Sequence, residues 1–242
     1  MSIDVKPYSD SDKSRKEQIT EMFDSIAPSY DFLNHFLSLG IDILWRRKAI
    51  RMLKMQSPER VLDIATGTGD FAIEAMRMKP KEVIGLDISP GMLEVGRAKM
   101  KKKGLENLIR MELGESEKLP YPEAFADAIT VGFGARNFEN LEKGLSEMHR
   151  VLKPGGRAVI LEPSFPRSFP MKQLFGFYFQ YVLPLLGRLF SKDSHAYTYL
   201  PASVAAFPEG KDFLEICRQA GFQKTSWHPL TFGICALYLL EK

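Results

Sequence analysis

Asp63, Gly67, Gly69 and Asp87 have the types and the spacing to hold a nucleoside. Asp63 sits in the apolar run Val61-Leu62-Asp63-Ile64, and the two glycines that follow leave bare backbone where a ligand can come close. A second apolar run, Val83-Ile84-Gly85-Leu86, ends at Asp87. An ionised carboxylate there is an acceptor with room for both hydroxyls of a ribose, and Ile88 beside it falls in the same crevice. Downstream, Gly132-Phe133-Gly134-Ala135-Arg136-Asn137 follows a further apolar run. Its glycines permit close approach, and the Arg136 guanidinium could stabilise an oxyanion. His35, His149, His195 and His228 show no paired metal spacing, so no metal is expected.

The identity of the nucleoside turns on three features. Gly67-x-Gly69-x-x-Ala72 also satisfies the relaxed dinucleotide fingerprint, with Asp87 near its acidic position. Against a dinucleotide, Asp63 precedes the turn where a carboxylate can organise it and face a cation. Asp70 stands at the helix start, where a diphosphate would need a positive end. The chain also finishes in two close strands, unlike the ordinary dinucleotide fold. These point to S-adenosylmethionine, which carries a sulfonium and no phosphate.

These residues need a parallel sheet to position them. Strands are expected at Arg60–Ile64, Glu82–Leu86, Ile109–Leu113, Ala126–Gly132 and Arg157–Leu161, alternating with helices over Asp70–Met78, Gly91–Lys103 and Leu141–Leu152. Near-continuous apolar strands imply helices on both faces. Lys153-Pro154-Gly155-Gly156 punctuates the last crossover. Lys224–His228 and Ile234–Leu240 are expected to pair antiparallel after a helix carrying Phe213, Leu214, Ile216 and Cys217. Before the sheet, a helix from Ser14 buries Ile19, Met22, Phe23 and Ile26 and stops before Pro28. A second, Asp42 to Leu53, turns Ile43, Leu44, Ala49, Ile50 and Leu53 inward. The fold class is α/β, Rossmann-like, with residues 1–57 as a helical lid, 58–242 as the main domain and a helical insertion near 166–208.

The 242 residues suffice for one large domain with a sizeable core, and a formal charge of +3 leaves no nucleic-acid footprint. Two separated cysteines, Cys217 and Cys235, fit buried packing in a reducing compartment. The first residues lack the apolar core of a signal peptide, so a cytoplasmic location is expected.

Met22-Phe23-Asp24-Ser25-Ile26-Ala27-Pro28-Ser29-Tyr30-Asp31, Val61–Asp70, Gly132–Asn137, Met148–Gly156 and Tyr197-Thr198-Tyr199-Leu200 together resemble the ubiquinone/menaquinone biosynthesis C-methyltransferase family, a class I S-adenosylmethionine-dependent group. The likeness runs from about Lys16 to Lys242. It implies transfer of a methyl group to a ring carbon of a polyprenylated quinol, with demethylmenaquinol favoured over a methoxy-benzoquinol of the ubiquinone route. It also implies that Thr68 touches the donor, that Tyr30 bounds its methionine end, and that Arg136 steadies a phenolate-like oxygen. The proton acceptor stays open among Asp31, His195, Tyr197 and solvent. The family places Asn or Asp then Ala near the adenine; here Glu115 and Ser116 stand instead. Trp45 and Arg46 read as core packing and a solvated charge, and Arg136 has a bland alternative as a surface partner of Glu139 or Glu142.

The stretch Leu174 to Leu186 is greasy but too short to span a bilayer, and Gln180 and Pro184 interrupt it. It reads as a buried insertion helix, or as a channel or interfacial face for an isoprenoid tail with peripheral membrane contact. A nicotinamide oxidoreductase and a non-catalytic docking protein are the readings from other classes.

Overall fold

A computed structural model describes residues 5–8, 10–182 and 195–242. Seven strands form one sheet in the order β3-β2-β1-β4-β5-β7-β6. They are β1 (Arg60–Ile64), β2 (Glu82–Asp87), β3 (Ile109–Leu113), β4 (Ala126–Gly132), β5 (Leu152–Pro163), β6 (Lys224–Leu230) and β7 (Cys235–Glu241). The first five run parallel, and β7 pairs antiparallel with both β5 and β6, as the closeness of the last two strands predicted. The chain order reverses between β1 and β4, and an open α/β sheet leaves its ligand crevice beyond the carboxyl ends at such a point.

Strand alternation sends side chains to two cores. Leu62, Ile64, Ile129 and Ile160 pack with Leu145 and Met148 of α6 (Leu141–Val151) and Phe213 of α9 (Lys211–Gln219). Val61, Val83, Ala128 and Val159 pack with α3 (Ile41–Leu53), α4 (Asp70–Ala75) and α5 (Pro90–Lys103) on the other face. A third cluster joins α1 (Arg15–Ile26), α2 (Tyr30–Leu37), Phe179 and Tyr199 of α8 (His195–Ala206), and it sits against Met92 of α5.

Local signals explain the element ends. Ser14 and Glu17 form a reciprocal capping box on α1. Ser89 caps α5 by accepting from the Met92 N–H. A 3-10 turn, Ala27–Ser29, carries Pro28 and leads straight into α2, a helix that the stop before Pro28 did not foresee. Pairing jumps from Ala126↔Leu152 to Ala128↔Arg157, so Lys153–Gly156 loops out of β5 rather than preceding it. In α3 the buried stripe is Asp42, Arg46, Ala49, Ile50 and Leu53, while Leu44 is exposed. The charged pair therefore replaces two apolar residues on the inward face. α7 (Met171–Phe177) and a π-helical turn, Tyr178–Val182, carry the first part of the greasy stretch; its remainder lies outside the described residues.

Asp24 fixes α1 over the carboxyl edge. Its Oδ1 accepts from Ser89 Oγ at 2.5 Å and from Gly91 N–H at 2.8 Å, a carboxylate at the start of α5. The N-terminal helices thereby roof the crevice.

Candidate active site

Three adjoining chambers occupy the crevice. The first is bounded by Asp87, Ile88, Gly67, Ser116 and Glu117 below and by Ile19 and Phe23 of α1 above. The second is lined by Leu33, Trp45, Arg136, Phe175, Tyr178 and Tyr199 among others. The third lies over the glycine turn between Thr66, Thr68, Asp70 and Arg46. Tyr30 and Phe133 border all three.

The glycine turn is built for close approach. Gly67 and Gly69 adopt φ of +56° and +87°, the left-handed region that other residues enter at a cost. A Cβ on Gly69 would also collide with Met100. Asp63 lies fully buried beneath the turn, where its oxygens accept from Thr66 Oγ1 and Thr130 Oγ1, both at 2.5 Å. Asp87 Oδ2 accepts from Gly67 N–H at 2.7 Å and Oδ1 from Ser89 N–H at 2.9 Å. Asp70 opens α4 with a negative charge, which disfavours a diphosphate there. The pocket therefore suits a nucleoside with a cationic rather than a phosphorylated end.

The sequence profile of the ubiE/COQ5 methyltransferase family matches residues 11–242. This chain belongs to that family. A demethylmenaquinone methyltransferase of Bacteroides fragilis is 53% identical over 239 residues, 98% of this chain and 97% of the relative. A ubiquinone/menaquinone biosynthesis C-methyltransferase of Geobacter sulfurreducens is 47% identical over 228 residues, covering 93% of this chain and 89% of the relative. A crystallised S-adenosylmethionine-dependent methyltransferase from Aquifex aeolicus superposes with a TM-score of 0.61 at 18% identity, over 95% of this chain and 99% of that one. The fold is that of class I methyltransferases, and the methyl donor is S-adenosylmethionine.

The methyltransferase gathers most of the residues expected at the donor site. Tyr30, Gly67, Asp87, Ile88, Ser116 and Gly132 line the first chamber. Asp63, Thr68 and Gly132 line the third. Gly69 caps the turn from below, facing Met100 and Met111. Glu115 pairs through its carboxylate with Lys16 of α1, which lines the first chamber; Glu115 is not among the lining residues, whereas Glu117 is.

Asp31, expected among the acid–base groups, binds Thr68 Oγ1 and the Lys99 ammonium through its carboxylate and is not among the residues lining the second chamber. One helical turn along α2, His35 bridges Asp42 Oδ2 at 2.9 Å and Asp70 Oδ2 at 3.4 Å. Arg46 and Lys99 supply counter-charge to this cluster of His35, Asp42 and Asp70. His195 and Tyr197 fall on α8, and their side chains lie outside the described residues.

Arg136 is buried, not at the surface. Its Nη1 donates to Glu162 Oε2 at 2.9 Å and to the Phe133 carbonyl, and Glu162 Oε1 accepts the Arg136 backbone N–H at 3.3 Å. Its Nε is buried with no partner. Glu162, at the carboxyl end of β5, was missed in the sequence; an acid closing an apolar strand, as Asp87 does, was the available signal. Arg15 holds the same loop from α1, donating to the carbonyls of Arg136 and Phe138, each at 2.9 Å. Arg46 was also misread: only 7% exposed, it stacks 5.8 Å from the Phe133 ring centre.

Burial sets the charges. Desolvation pushes the Asp63 carboxyl up to about 6, against the pull of the Thr130 and Thr66 hydroxyls. Desolvation likewise raises Asp87, opposed by the backbone N–H groups of Ser89, Gly67 and Ile88. It raises Glu162 against Arg136. Asp63 favours its proton more in the folded state than in the unfolded one. Its stability contribution is complete below the ordinary 3.8 and is lost as pH rises through about 6. Asp63→Asn, with both threonine hydroxyls free to rotate, is therefore expected to raise the melting temperature of the unliganded methyltransferase at pH 8, with the gain vanishing below pH 3.8. Thermal melts across that range check it.

Proposed function

We propose that this methyltransferase transfers the methyl group of S-adenosylmethionine to a ring carbon of demethylmenaquinol. The carrying observation is the junction at Tyr30 and Phe133, where a nucleoside chamber meets a larger aromatic chamber lined by Arg136. The curated relatives named for demethylmenaquinone support the choice of quinol.

The donor supplies an electrophilic methyl on a sulfonium. The chain's residues do the rest. Asp87 accepts the ribose hydroxyls while its own backbone donors hold it in place. Tyr30 and Phe133 present aromatic faces where the two chambers join, and such faces attract a cation. Phe175, Tyr178 and Trp45 give the second chamber an aromatic lining that suits a quinol ring and excludes water. Loss of a quinol hydroxyl proton pushes electron density onto the neighbouring carbon. The Arg136 guanidinium steadies the resulting oxyanion, and Glu162 keeps it in position. With Asp31 turned to Lys99, the proton passes to solvent or to a group on α8.

The mouth of the second chamber suits a lipid. Phe32 and Phe36 of α2, Leu39 in the turn after it, Leu44 of α3 and Phe177 of α7 are exposed, and Tyr178 Oη of the π-helical turn donates to the Leu37 carbonyl of α2 at 3.0 Å. This face contacts the membrane that holds the isoprenoid tail. Among the described residues no helix is long and apolar enough to cross a membrane.

The test is turnover of the purified protein with S-adenosylmethionine and short-tailed quinols, read by mass spectrometry. A product heavier by one methylene from the demethylmenaquinol and not from the methoxy-benzoquinol is expected. The reverse preference would assign the ubiquinone route, and no methylated product from either would overturn the reading.

A further inference from the structure

We propose that Tyr199 is a positioning residue for the methyl transfer: its hydroxyl holds the loop of residues 133–138 so that Arg136 keeps its place in the wall of the second chamber. This rests on the oxyanion role of Arg136 and adds to it a residue of α8 that acts through it.

The loop has little of its own to hold it. Between β4 and α6 it makes a single 3-10 turn, Ala135–Asn137, in which the Asn137 N–H donates to the Gly134 carbonyl at 3.0 Å and the Phe138 N–H to the Ala135 carbonyl at 3.2 Å. A turn this short leaves most of its carbonyls to outside partners. Phe133 enters the left-handed region at φ +61°, which a residue with a Cβ adopts only when its surroundings hold it there.

Three side chains from distant elements do the holding. Glu162 of β5 takes the Arg136 side chain and backbone N–H. Arg15 of α1 commits its whole guanidinium. Its Nε donates to the Val5 carbonyl at 3.0 Å, and its Nη1 to the carbonyls of Phe138 at 2.9 Å and Asn137 at 3.3 Å. Its Nη2 donates to the Arg136 carbonyl at 2.9 Å and to Tyr199 Oη at 3.3 Å. Tyr199 Oη in turn donates to Asn137 Oδ1 at 2.9 Å. The hydroxyl therefore accepts from one anchor and donates to the loop, which a phenyl ring cannot do. Burial raises its pKa above the ordinary 10, against the pull of Arg15 and Arg136, so it keeps the proton it donates.

Of the three anchors only Tyr199 lines a chamber. Its ring shares the second chamber with Arg136, while Asn137 borders the first. A quinol ring packed against Tyr199 thus bears on the group that fixes the Asn137 carboxamide and, with Arg15, the backbone of Arg136.

Tyr199→Phe keeps the ring and deletes the hydroxyl. Single-turnover methylation of a short-tailed demethylmenaquinol at saturating S-adenosylmethionine is expected to slow about tenfold, with donor affinity by calorimetry within about twofold of wild type. The same substitution made in the Arg136→Met, Glu162→Gln protein is expected to bring no further slowing, because Tyr199 acts through Arg136. A tyrosine that merely supports the fold would slow both backgrounds alike, and that outcome would overturn the proposal. Hydrogen-exchange mass spectrometry reads the loop without turnover: the peptide over residues 132–138 is expected to exchange faster in Tyr199→Phe, and the peptide over residues 61–66 to stay as in wild type. Unchanged exchange over 132–138 would also overturn the proposal. Absence of methylation by the wild type would instead overturn the quinol reading, with exchange still deciding whether Tyr199 holds the loop. If Tyr199→Phe fails to fold, Asn137→Leu breaks the same bond from its other end and carries the same expectations for rate and exchange.

Discussion

Alanine at position 87 is expected to weaken binding of S-adenosylmethionine by about two to three orders of magnitude. The Asp87 carboxylate faces the first chamber with one lone pair on each oxygen already matched to a backbone N–H. In the proposed reading both ribose hydroxyls donate to this carboxylate. Hydrogen bonds to a charged acceptor contribute about 1.5–3 kcal/mol each, and the two removed here are not fully additive. Alanine also orphans the Gly67 and Ser89 N–H groups, loosening the turn under the donor. Asp87→Asn keeps one acceptor and the shape, so its loss is expected to be smaller, about tenfold. Calorimetric affinities of the three proteins measure this. Unchanged affinity in Asp87→Ala would place the ribose elsewhere.

Removing the Arg136 guanidinium is expected to lower kcat by about two to three orders of magnitude with little change in donor affinity. Alanine alone is a poor test. It would strand Glu162, 1% exposed, without its partner, and an uncompensated buried charge costs about 3–5 kcal/mol of stability. The double variant Arg136→Met with Glu162→Gln removes both charges and keeps the volume. It is expected to fold, to bind S-adenosylmethionine within about threefold of wild type, and to turn over slowly. Glu162→Gln alone keeps the guanidinium but frees its Nη1 from an ionic partner, so an intermediate kcat is expected. Equal losses in affinity and turnover would make Arg136 a residue of the donor wall rather than of the chemistry.

The sheet was legible because its signals are local. Strand runs such as Val83–Leu86 and the turn at Gly67 and Gly69 require no knowledge of distant residues. The antiparallel finish followed from the short separation of β6 and β7. Asp87 and Gly132, which line the first chamber, were legible for the same reason, standing at strand ends. What escaped depends on pairings across the chain. Arg46 sits in the run Trp45-Arg46-Arg47-Lys48, which looks like a solvated face until Asp70 and the Phe133 ring are brought to it. Asp31 lies beside Tyr30 in sequence, yet one step around α2 turns it to Lys99 while Tyr30 faces the chambers. Glu162 acquires its role only when β5 lies beside β4 and the Arg136 loop.

Tyr30 as a partition common to three chambers ties the traffic of the two substrates together. A quinol seated against Leu33 and Leu37 would brace α2 and close the way to the nucleoside. The expected kinetics are compulsory-order, with the nucleoside entering first and its demethylated remnant leaving last. Product inhibition by that remnant should be competitive against the nucleoside and noncompetitive against the quinol.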